Sequence, residues 1–277
     1  MTSTSCPMPC LPVASGARMI AVRANRRRPF TCATQCPEGR LPRMEPGAKG
    51  DAGPLGHDAA AYAQRQEGLS PEPLRDAAWS VAGQRAFGVV LDVGSGSGGW
   101  ISRLQRNPAV ERILSTDIHD AGASRLPGVE FQLRDVSRDA LPWGDRSVDW
   151  VFAIEVLEHL ANPRHFVKEA FRVLKPGGHL FFTTPNNDSL TARLSFLVRG
   201  YFPAFCEQDY RDSGHITPIT ELDARRMAVE AGFQSIDFDY PLPGRIPRSS
   251  VYWQRFVPGL RGRWWSDGLF ALLTRPR

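Results

Sequence analysis

The sequence has no apolar run that approaches the roughly 18 residues a membrane-spanning helix needs. It also has few cysteines, five in 277 residues. Since Cys206 is the only one beyond residue 57, a disulfide framework is excluded for the body of the chain, and a reducing, cytoplasmic compartment is expected. A composition of 42% hydrophobic and 23% charged residues excludes collagen-like, coiled-coil and wholly disordered proteins.

The net charge of +5 is concentrated at the amino-terminal end. Residues 1–57 contain eight basic and three acidic residues, and the rest of the chain carries equal numbers of both signs. The charge therefore gives no reason to expect a nucleic-acid partner. Because residues 1–57 also hold eight prolines and six glycines, we predict a disordered tail there and a single domain over residues 58–277. The pairs Cys6/Cys10 and Cys32/Cys36 are not expected to bind zinc.

Short apolar runs alternate with helical patterns through this domain. Strands are predicted at 87–93, 111–117, 129–135, 149–155, 179–185, 233–240 and 269–274, and helices at 58–66, 74–85, 97–107, 163–174 and 218–231. Such alternation indicates parallel βαβ units, so the fold class is α/β with a doubly wound sheet. The last two strands leave no room for a connecting helix and are expected to pair antiparallel at the sheet edge.

A glycine-rich segment, DVGSGSGG, starts at Asp92 within the first predicted strand. Glycines at this place let the chain turn sharply and bring backbone N–H groups close to a ligand. Gly94, Gly96 and Gly99 match the dinucleotide pattern G-x-G-x-x-G, whereas Asp92 and the glycines up to Gly98 match D-x-G-x-G-x-G. The segment predicts a nucleotide-like ligand and leaves its identity open.

Carboxylates end the next three predicted strands, as Asp117, Asp135 and Glu155. Glu155 opens the sequence EVLEHL, and the following helix closes with RVLKPGG. With these segments in this order, residues 89–185 resemble the class I S-adenosylmethionine-dependent methyltransferases, especially the bacterial group that includes the quinone-biosynthesis O-methyltransferases. The later segment GHITP, from Gly214, extends the resemblance to methyltransferases found with glycan-assembly enzymes.

The resemblance implies a Rossmann-like seven-stranded sheet in the order 3-2-1-4-5-7-6, with the last strand antiparallel and helices on both faces. It implies S-adenosylmethionine as the cofactor, with residues 87–185 as the cofactor half and residues 186–277 as the acceptor lid and terminal strands. The cofactor-binding residues would be Asp92, Gly94, Ser95, Gly96, Gly98, Asp117, Ile118, Asp135, Val136 and Glu155. For Asp92, a role as a loop-bracing or helix-capping acid is the alternative.

Methyl transfer from a sulfonium depends on alignment more than on covalent machinery. The expected acceptor is a small molecule or a glycan, methylated at oxygen. An imidazole base would help remove the hydroxyl proton, and His215 and His159 are the candidates, with Glu155 beside the reacting methyl.

A divalent metal is an alternative that we do not favour from the sequence. Glu155, Glu158 and His159 have helical i, i+3 and i+4 spacing, which would place them on one face. With His215 they are similar to the metal site of the small-RNA 2′-O-methyltransferases. However, the same motif occurs in relatives that use no metal, and Mg²⁺ prefers oxygen ligands.

Two other functions stay open at this point. An NAD-dependent oxidoreductase would use the same glycine loop, but the chain has no Tyr-x-x-x-Lys. A non-catalytic relative would show a degraded glycine loop, and this one is intact. The aromatic and basic stretch 193–210 is expected near the acceptor, except that Phe196 and Leu197 are expected to pack in the core.

Overall fold

The computed structural model describes residues 70–277. The predicted tail, the predicted helix at 58–66 and the cysteine pairs lie outside the described residues. The strands are β1 (Gly88–Val93), β2 (Val110–Asp117), β3 (Val129–Leu133), β4 (Val148–Ile154), β5 (Leu174–Pro185), β6 (Ser235–Asp239) and β7 (Gly268–Thr274). The α-helices are α1 (Glu72–Val81), α2 (Ile101–Leu104), α3 (Pro163–Val173), α4 (Leu190–Arg199), α5 (Glu207–Asp212) and α6 (Glu221–Ala231).

The strands form one sheet in the order β3-β2-β1-β4-β5-β7-β6. Neighbouring strands from β3 through β5 pair in parallel, whereas β7 pairs antiparallel with both β5 and β6. The predicted order and the predicted antiparallel pair are confirmed. All parallel strands therefore end at the same edge of the sheet, which we call the carboxyl edge.

Each central strand contributes side chains to a hydrophobic core on both faces of the sheet. In β4, Val151 and Ala153 belong to one core and Trp150, Phe152 and Ile154 to the other. Helices α3 and α6 cover the first core, and α1 and α2 cover the second. Burial on both faces explains why these strands appear in the sequence as nearly continuous apolar runs.

Two predicted elements differ from the structure. The predicted helix at 97–107 is α-helical only over Ile101–Leu104. It cannot start at residue 97 because Gly98 has a φ of 84°, which an α-helix cannot contain. The predicted KPGG turn lies inside β5. There the pairing with β4 shifts between Leu174 and His179, so the four residues bulge from the ladder instead of preceding the strand.

Among the helices of residues 70–277, none has both the length and the apolar composition needed to cross a bilayer.

Candidate active site

The glycine loop after β1 has left-handed backbone at three positions. Gly94, Gly96 and Gly98 have φ values of 71°, 51° and 84°, a region that side chains other than glycine rarely adopt. At Gly94, an added Cβ would lie 2.5 Å from a methyl carbon of Val156. The loop thus turns sharply after β1 and closes against Val156 just beyond the end of β4, and its role in ligand binding stays a prediction.

Two carboxylates lie beneath this loop in an environment that disfavours their charge. Asp92 is 2% exposed, and its Oδ2 has no hydrogen-bond partner among the described residues. Burial, and then the charge of Asp117, raises the pKa of Asp92 well above its usual value. Asp117 accepts hydrogen bonds from the Gly96 N–H at 2.8 Å and the His119 N–H at 3.1 Å, while burial raises its pKa. Asp117 therefore braces the loop directly.

The predicted adenine residues lie next to Asp117 on the neighbouring strand end. Asp117 pairs with Leu133 across β2 and β3, and the Arg134 N–H donates to the Asp117 carbonyl at 2.9 Å. Asp135 accepts from the Ser137 N–H at 3.0 Å, and Val136 is buried beside it. The structure thus brings the predicted ribose and adenine residues together at one edge.

Glu155 lies where β4 ends, in a conformation that breaks the predicted helical face. Its φ is 55°, and Leu157–His159 forms a single 3₁₀ turn instead of a continuing helix. Glu155, Glu158 and His159 therefore do not share an α-helical face, and that prediction was wrong. The i, i+4 spacing applies only to continuous helix, and the left-handed residue at the strand end interrupts it.

The side chain of Thr183 on β5 holds Glu155 in this conformation. The Thr183 hydroxyl accepts from the Glu155 N–H at 3.0 Å and donates to Glu155 Oε1 at 2.9 Å. Burial raises the pKa of Glu155 to about 7. The carboxyl group can therefore exchange a proton near neutral pH.

The GHITP segment packs against the turn that follows β4. The N–H groups of Ile216 and Thr217 donate to the Glu158 carbonyl at 2.9 and 3.0 Å, and the Thr217 hydroxyl donates to the Leu160 carbonyl at 2.6 Å. These bonds bring His215 against His159, with ring centroids 4.8 Å apart. The two predicted histidines, more than 50 residues apart in sequence, therefore meet in one site.

Backbone carbonyls orient both imidazole rings. His215 Nδ1 lies 2.7 Å from the Ala204 carbonyl oxygen, and His159 Nδ1 lies 3.1 Å from that of Gly214. Because a carbonyl only accepts, each Nδ1 carries a proton, and in the neutral ring the lone pair is on Nε2. Burial lowers the pKa of His215, so this ring is neutral at physiological pH.

Glu158 completes a cluster with the two histidines. One potential ligand atom from each of Glu158, His159 and His215 lies within 4.8 Å of the other two. Glu158 is fully buried, and neither carboxylate oxygen has a hydrogen-bond partner in the described part of the chain. Burial, together with the nearby carboxyl of Glu155, raises the pKa of Glu158 well above its usual value. The structure groups three of the four metal candidates and leaves Glu155 outside this set.

Sequence reasoning missed the groups that position the site. Thr183 and the carbonyls of Ala204 and Gly214 hold the predicted residues without contributing a motif of their own. The Thr183-Thr184 pair, which directly follows the apolar run 180–182, is the only signal the sequence offers. Carbonyl acceptors leave no trace in side-chain identity, so they could not have been found.

These residues fit the cofactor that the resemblance implies. The glycine loop offers close backbone approach, and Asp92 Oδ2 and Ser95 Oγ are buried beneath it without partners among residues 70–277. Carboxylates at the ends of β2 and β3 suit hydroxyl and amino groups of a nucleoside. The donor and acceptor types match an adenosine carrying an amino-acid tail.

Comparison with known proteins places the chain in a family. A family described as a methyltransferase domain matches residues 62–237. The ubiquinone biosynthesis O-methyltransferase of Pseudomonas putida is 30% identical over 179 residues, which cover 60% of this chain and 72% of that protein. The phthiotriol/phenolphthiotriol dimycocerosates methyltransferase of Mycobacterium tuberculosis is 35% identical over 107 residues, 36% of this chain. The chain spans only 33% to 39% of the length of three of the curated relatives that it matches.

Solved structures share the fold at low sequence identity. An S-adenosylmethionine-dependent methyltransferase from Archaeoglobus fulgidus has a TM-score of 0.55 and 15% identity, with 76% of this chain and 97% of that chain covered. A chain of the Haloferax volcanii complex between the Trm112 methyltransferase activator and the putative methyltransferase has a TM-score of 0.54 and 20% identity, covering 79% and 98%. From the family match and the fold together, the chain belongs to the S-adenosylmethionine-dependent methyltransferases.

Proposed function

We propose that this protein transfers the methyl group of S-adenosylmethionine to a hydroxyl oxygen of a small-molecule or glycan acceptor. The observation that carries the proposal is the half-buried imidazole pair of His159 and His215 at the carboxyl edge, in and against the turn that follows β4. The similarity to a ubiquinone biosynthesis O-methyltransferase, of which 72% is covered, supports oxygen as the methylated atom.

Residues at three strand ends would each bind a different part of the methyl donor. When bound, S-adenosylmethionine supplies an electrophilic methyl on its sulfonium. Gly94, Ser95, Gly96 and Gly98, with Asp92 beneath them, would hold the methionine part. Asp117 and Ile118 would bind the ribose, and Asp135 and Val136 the adenine. Glu155, next to the loop at the end of β4, would lie beside the reacting methyl.

His215 would take the acceptor proton. Its Nδ1–H donates a hydrogen bond to the Ala204 carbonyl, so the neutral ring has its lone pair on Nε2. Because burial lowers its pKa, the ring stays neutral at physiological pH and can accept a proton as the acceptor oxygen forms its bond to carbon. His159 packs against it and would orient the same acceptor hydroxyl.

A second candidate role for these residues is favoured by the unpaired carboxylate of Glu158. A buried carboxylate with both oxygens unsatisfied is costly unless a ligand occupies it. Glu158, His159 and His215 would hold a divalent cation, which would lower the pKa of a hydroxyl bound to it. A donor set with two imidazoles suits Zn²⁺, Mn²⁺ or Co²⁺ better than Mg²⁺.

One set of measurements distinguishes the hypothesis that His215 acts as a general base from the hypothesis that the cluster binds a divalent cation. We would assay transfer of labelled methyl to hydroxylated acceptors, with and without EDTA, and measure Zn²⁺ and Mn²⁺ binding by calorimetry. With a metal, activity is lost in EDTA and returns with added cation, and Glu158→Gln and His215→Gln each weaken cation binding. With His215 acting only as a base, EDTA has no effect. Activity then rises with pH through a midpoint below the ordinary imidazole pKa of about 6.5.

Two matched variants control this experiment. Glu230→Gln changes a carboxyl on α6 that pairs with Arg164, outside the three-residue cluster, and should leave cation binding intact. His165→Gln changes an imidazole that contacts the Asp139 carbonyl, away from the cluster.

The enzyme class is tested by measuring which ligand stabilises the protein. S-adenosylhomocysteine should raise the melting temperature and NAD should not. A rise with NAD alone would favour the oxidoreductase instead.

A further inference from the structure

Helix α4 and the loop between β6 and β7 carry features that the proposed chemistry does not use. Phe196 and Leu197, predicted to lie in the core, are 52% and 79% exposed, and Val198 is 66% exposed. In the loop, Phe256 and Val257 are 69% and 52% exposed. The prediction for Phe196 and Leu197 was wrong because α4 packs on the loop through its first turns, which leaves its last turns in solvent.

Direct contacts join the two elements. The Leu190 N–H donates to the Trp264 carbonyl at 2.9 Å, and the Arg193 guanidinium lies 4.7 Å from the centre of the Trp264 ring. Leu197 follows Arg193 by four residues, so it projects from the same face of α4, one turn further on. Trp264 is itself 48% exposed. The helix and the loop therefore present apolar side chains from one joined structure, which we call the α4–loop surface.

The α4–loop surface is basic as well as apolar. From Tyr240 to Ser266 the chain contains five arginines and neither aspartate nor glutamate. Asp267 and Asp188 pair with Arg245 and Arg263. The other three loop arginines and the last residue of α4 are exposed and form no ion pair with another described residue: Arg248, Arg255, Arg261 and Arg199.

The surface lies at the carboxyl edge of the sheet. Pro185 at the end of β5 pairs with Gly268 at the start of β7, so the loop comes back to the sheet where α4 leaves it. The side chain of Asn186 donates to the carbonyls of Arg263 and Ser266, both at 2.8 Å. The active-site residues after β1 and β4 occupy the same edge.

We propose that the α4–loop surface docks this protein on a membrane that contains anionic lipids. Exposed arginines that form no ion pair with another described residue can attract an anionic partner, and a lipid headgroup layer is one. Exposed aliphatic residues gain free energy by entering the boundary between headgroups and acyl chains, and gain little from a nucleic-acid backbone. Tryptophan and tyrosine, present here as Trp264 and Tyr252, are the residues enriched at that boundary.

The test is co-sedimentation of the full chain with vesicles. Vesicles of phosphatidylcholine alone are compared with vesicles in which half of the lipid is phosphatidylglycerol, at low and high salt. We expect binding to the anionic vesicles only, weakened by salt. Arg199→Gln with Arg255→Gln should reduce partitioning about fivefold for each arginine removed. Leu197→Gln with Phe256→Gln should reduce it on the order of tenfold.

A matched pair on another helix controls for changes in general surface hydrophobicity. Leu222 and Val229 on α6 are 52% and 75% exposed, and Leu222→Gln with Val229→Gln should leave vesicle binding unchanged. Absence of vesicle binding overturns the proposal. Binding that survives both surface double variants also overturns it, because the basic residues 1–57 would then account for it. Binding to a mixed-sequence nucleic-acid duplex in place of vesicles would assign the surface to that partner.

Discussion

The two halves of the site are built in different ways. The glycine loop and the carboxylates Asp117 and Asp135 come from the consecutive strands β1, β2 and β3, and each lies at or just after the end of its own strand. The histidine cluster joins the turn after β4 to the segment at 214–217, and it depends on hydrogen bonds that cross more than 50 residues. The first half is specified locally, whereas the second exists only after the domain has folded.

This difference predicts how each half responds to change. A local turn fails when its own backbone geometry is altered, and the failure appears as lost cofactor affinity. An assembled cluster fails when a distant contact is cut, and the failure appears as lost turnover with the cofactor still bound. The following predictions test that separation, beginning with the largest effect.

The largest effect is expected for Gly94→Ala. At a φ of 71° with Val156 2.5 Å from the added Cβ, the loop must shift away from its ligand-binding shape. Affinity for S-adenosylhomocysteine, measured by calorimetry, should fall by about 100-fold or more, a loss of roughly 2.8 kcal/mol of binding free energy. Gly144→Ala is the control, since nothing lies within 4 Å of its Cβ position. Unchanged affinity in the Gly94 variant would remove the loop from the cofactor site.

The second prediction concerns Thr217→Val, which removes the 2.6 Å hydrogen bond to the Leu160 carbonyl and keeps the shape of the side chain. Because that bond holds the segment that carries His215, methyl transfer should fall about tenfold while the affinity for S-adenosylhomocysteine stays the same. Thr274→Val, which cuts a contact with His179 away from the site, should affect neither. Equal losses of turnover and cofactor affinity would contradict the separation of the two halves.

A third, smaller effect concerns the buried Asp92. Its raised pKa means that the native state keeps a proton which the unfolded chain releases above about pH 4. This contribution to stability is complete below that pH and is lost as pH rises toward the raised pKa. The free energy of unfolding of Asp92→Asn, relative to that of the natural chain, should therefore increase by at least about 1 kcal/mol between pH 4 and pH 8, as measured by urea unfolding. A difference that does not vary with pH would show that Asp92 is ionised in the native protein.

The smallest effect is expected at the amino-terminal end. A chain beginning at Leu55 should unfold within about 0.5 kcal/mol of the full chain and bind S-adenosylhomocysteine with the same affinity, because the composition of the removed segment disfavours burial. Urea unfolding and calorimetry test this. A marked loss in either would mean that the segment packs on the domain.

Much of the fold was predictable because the signals are local. Runs such as the one at β4 are apolar on both faces of the sheet, so their positions can be identified without tertiary information. The wrong predictions of secondary structure concern positions where the backbone conformation departs from a regular helix or strand. Glu155 adopts a left-handed conformation that interrupts the assumed helical spacing, and the bulge at Gly177 lies within a strand that the sequence indicated to start later.

By itself, the sequence determined the positions of most strands, the glycine turn and the identity of the residues at each strand end, because these follow from hydrophobic periodicity and from glycine's access to positive φ. The order of the strands in the sheet came from the resemblance to the methyltransferases. Only the tertiary structure decided which of the candidates meet. It placed His215 beside His159, left both Glu158 oxygens without partners among the described residues, and exposed Leu197 to solvent. Contacts between distant segments depend on packing that no local pattern encodes.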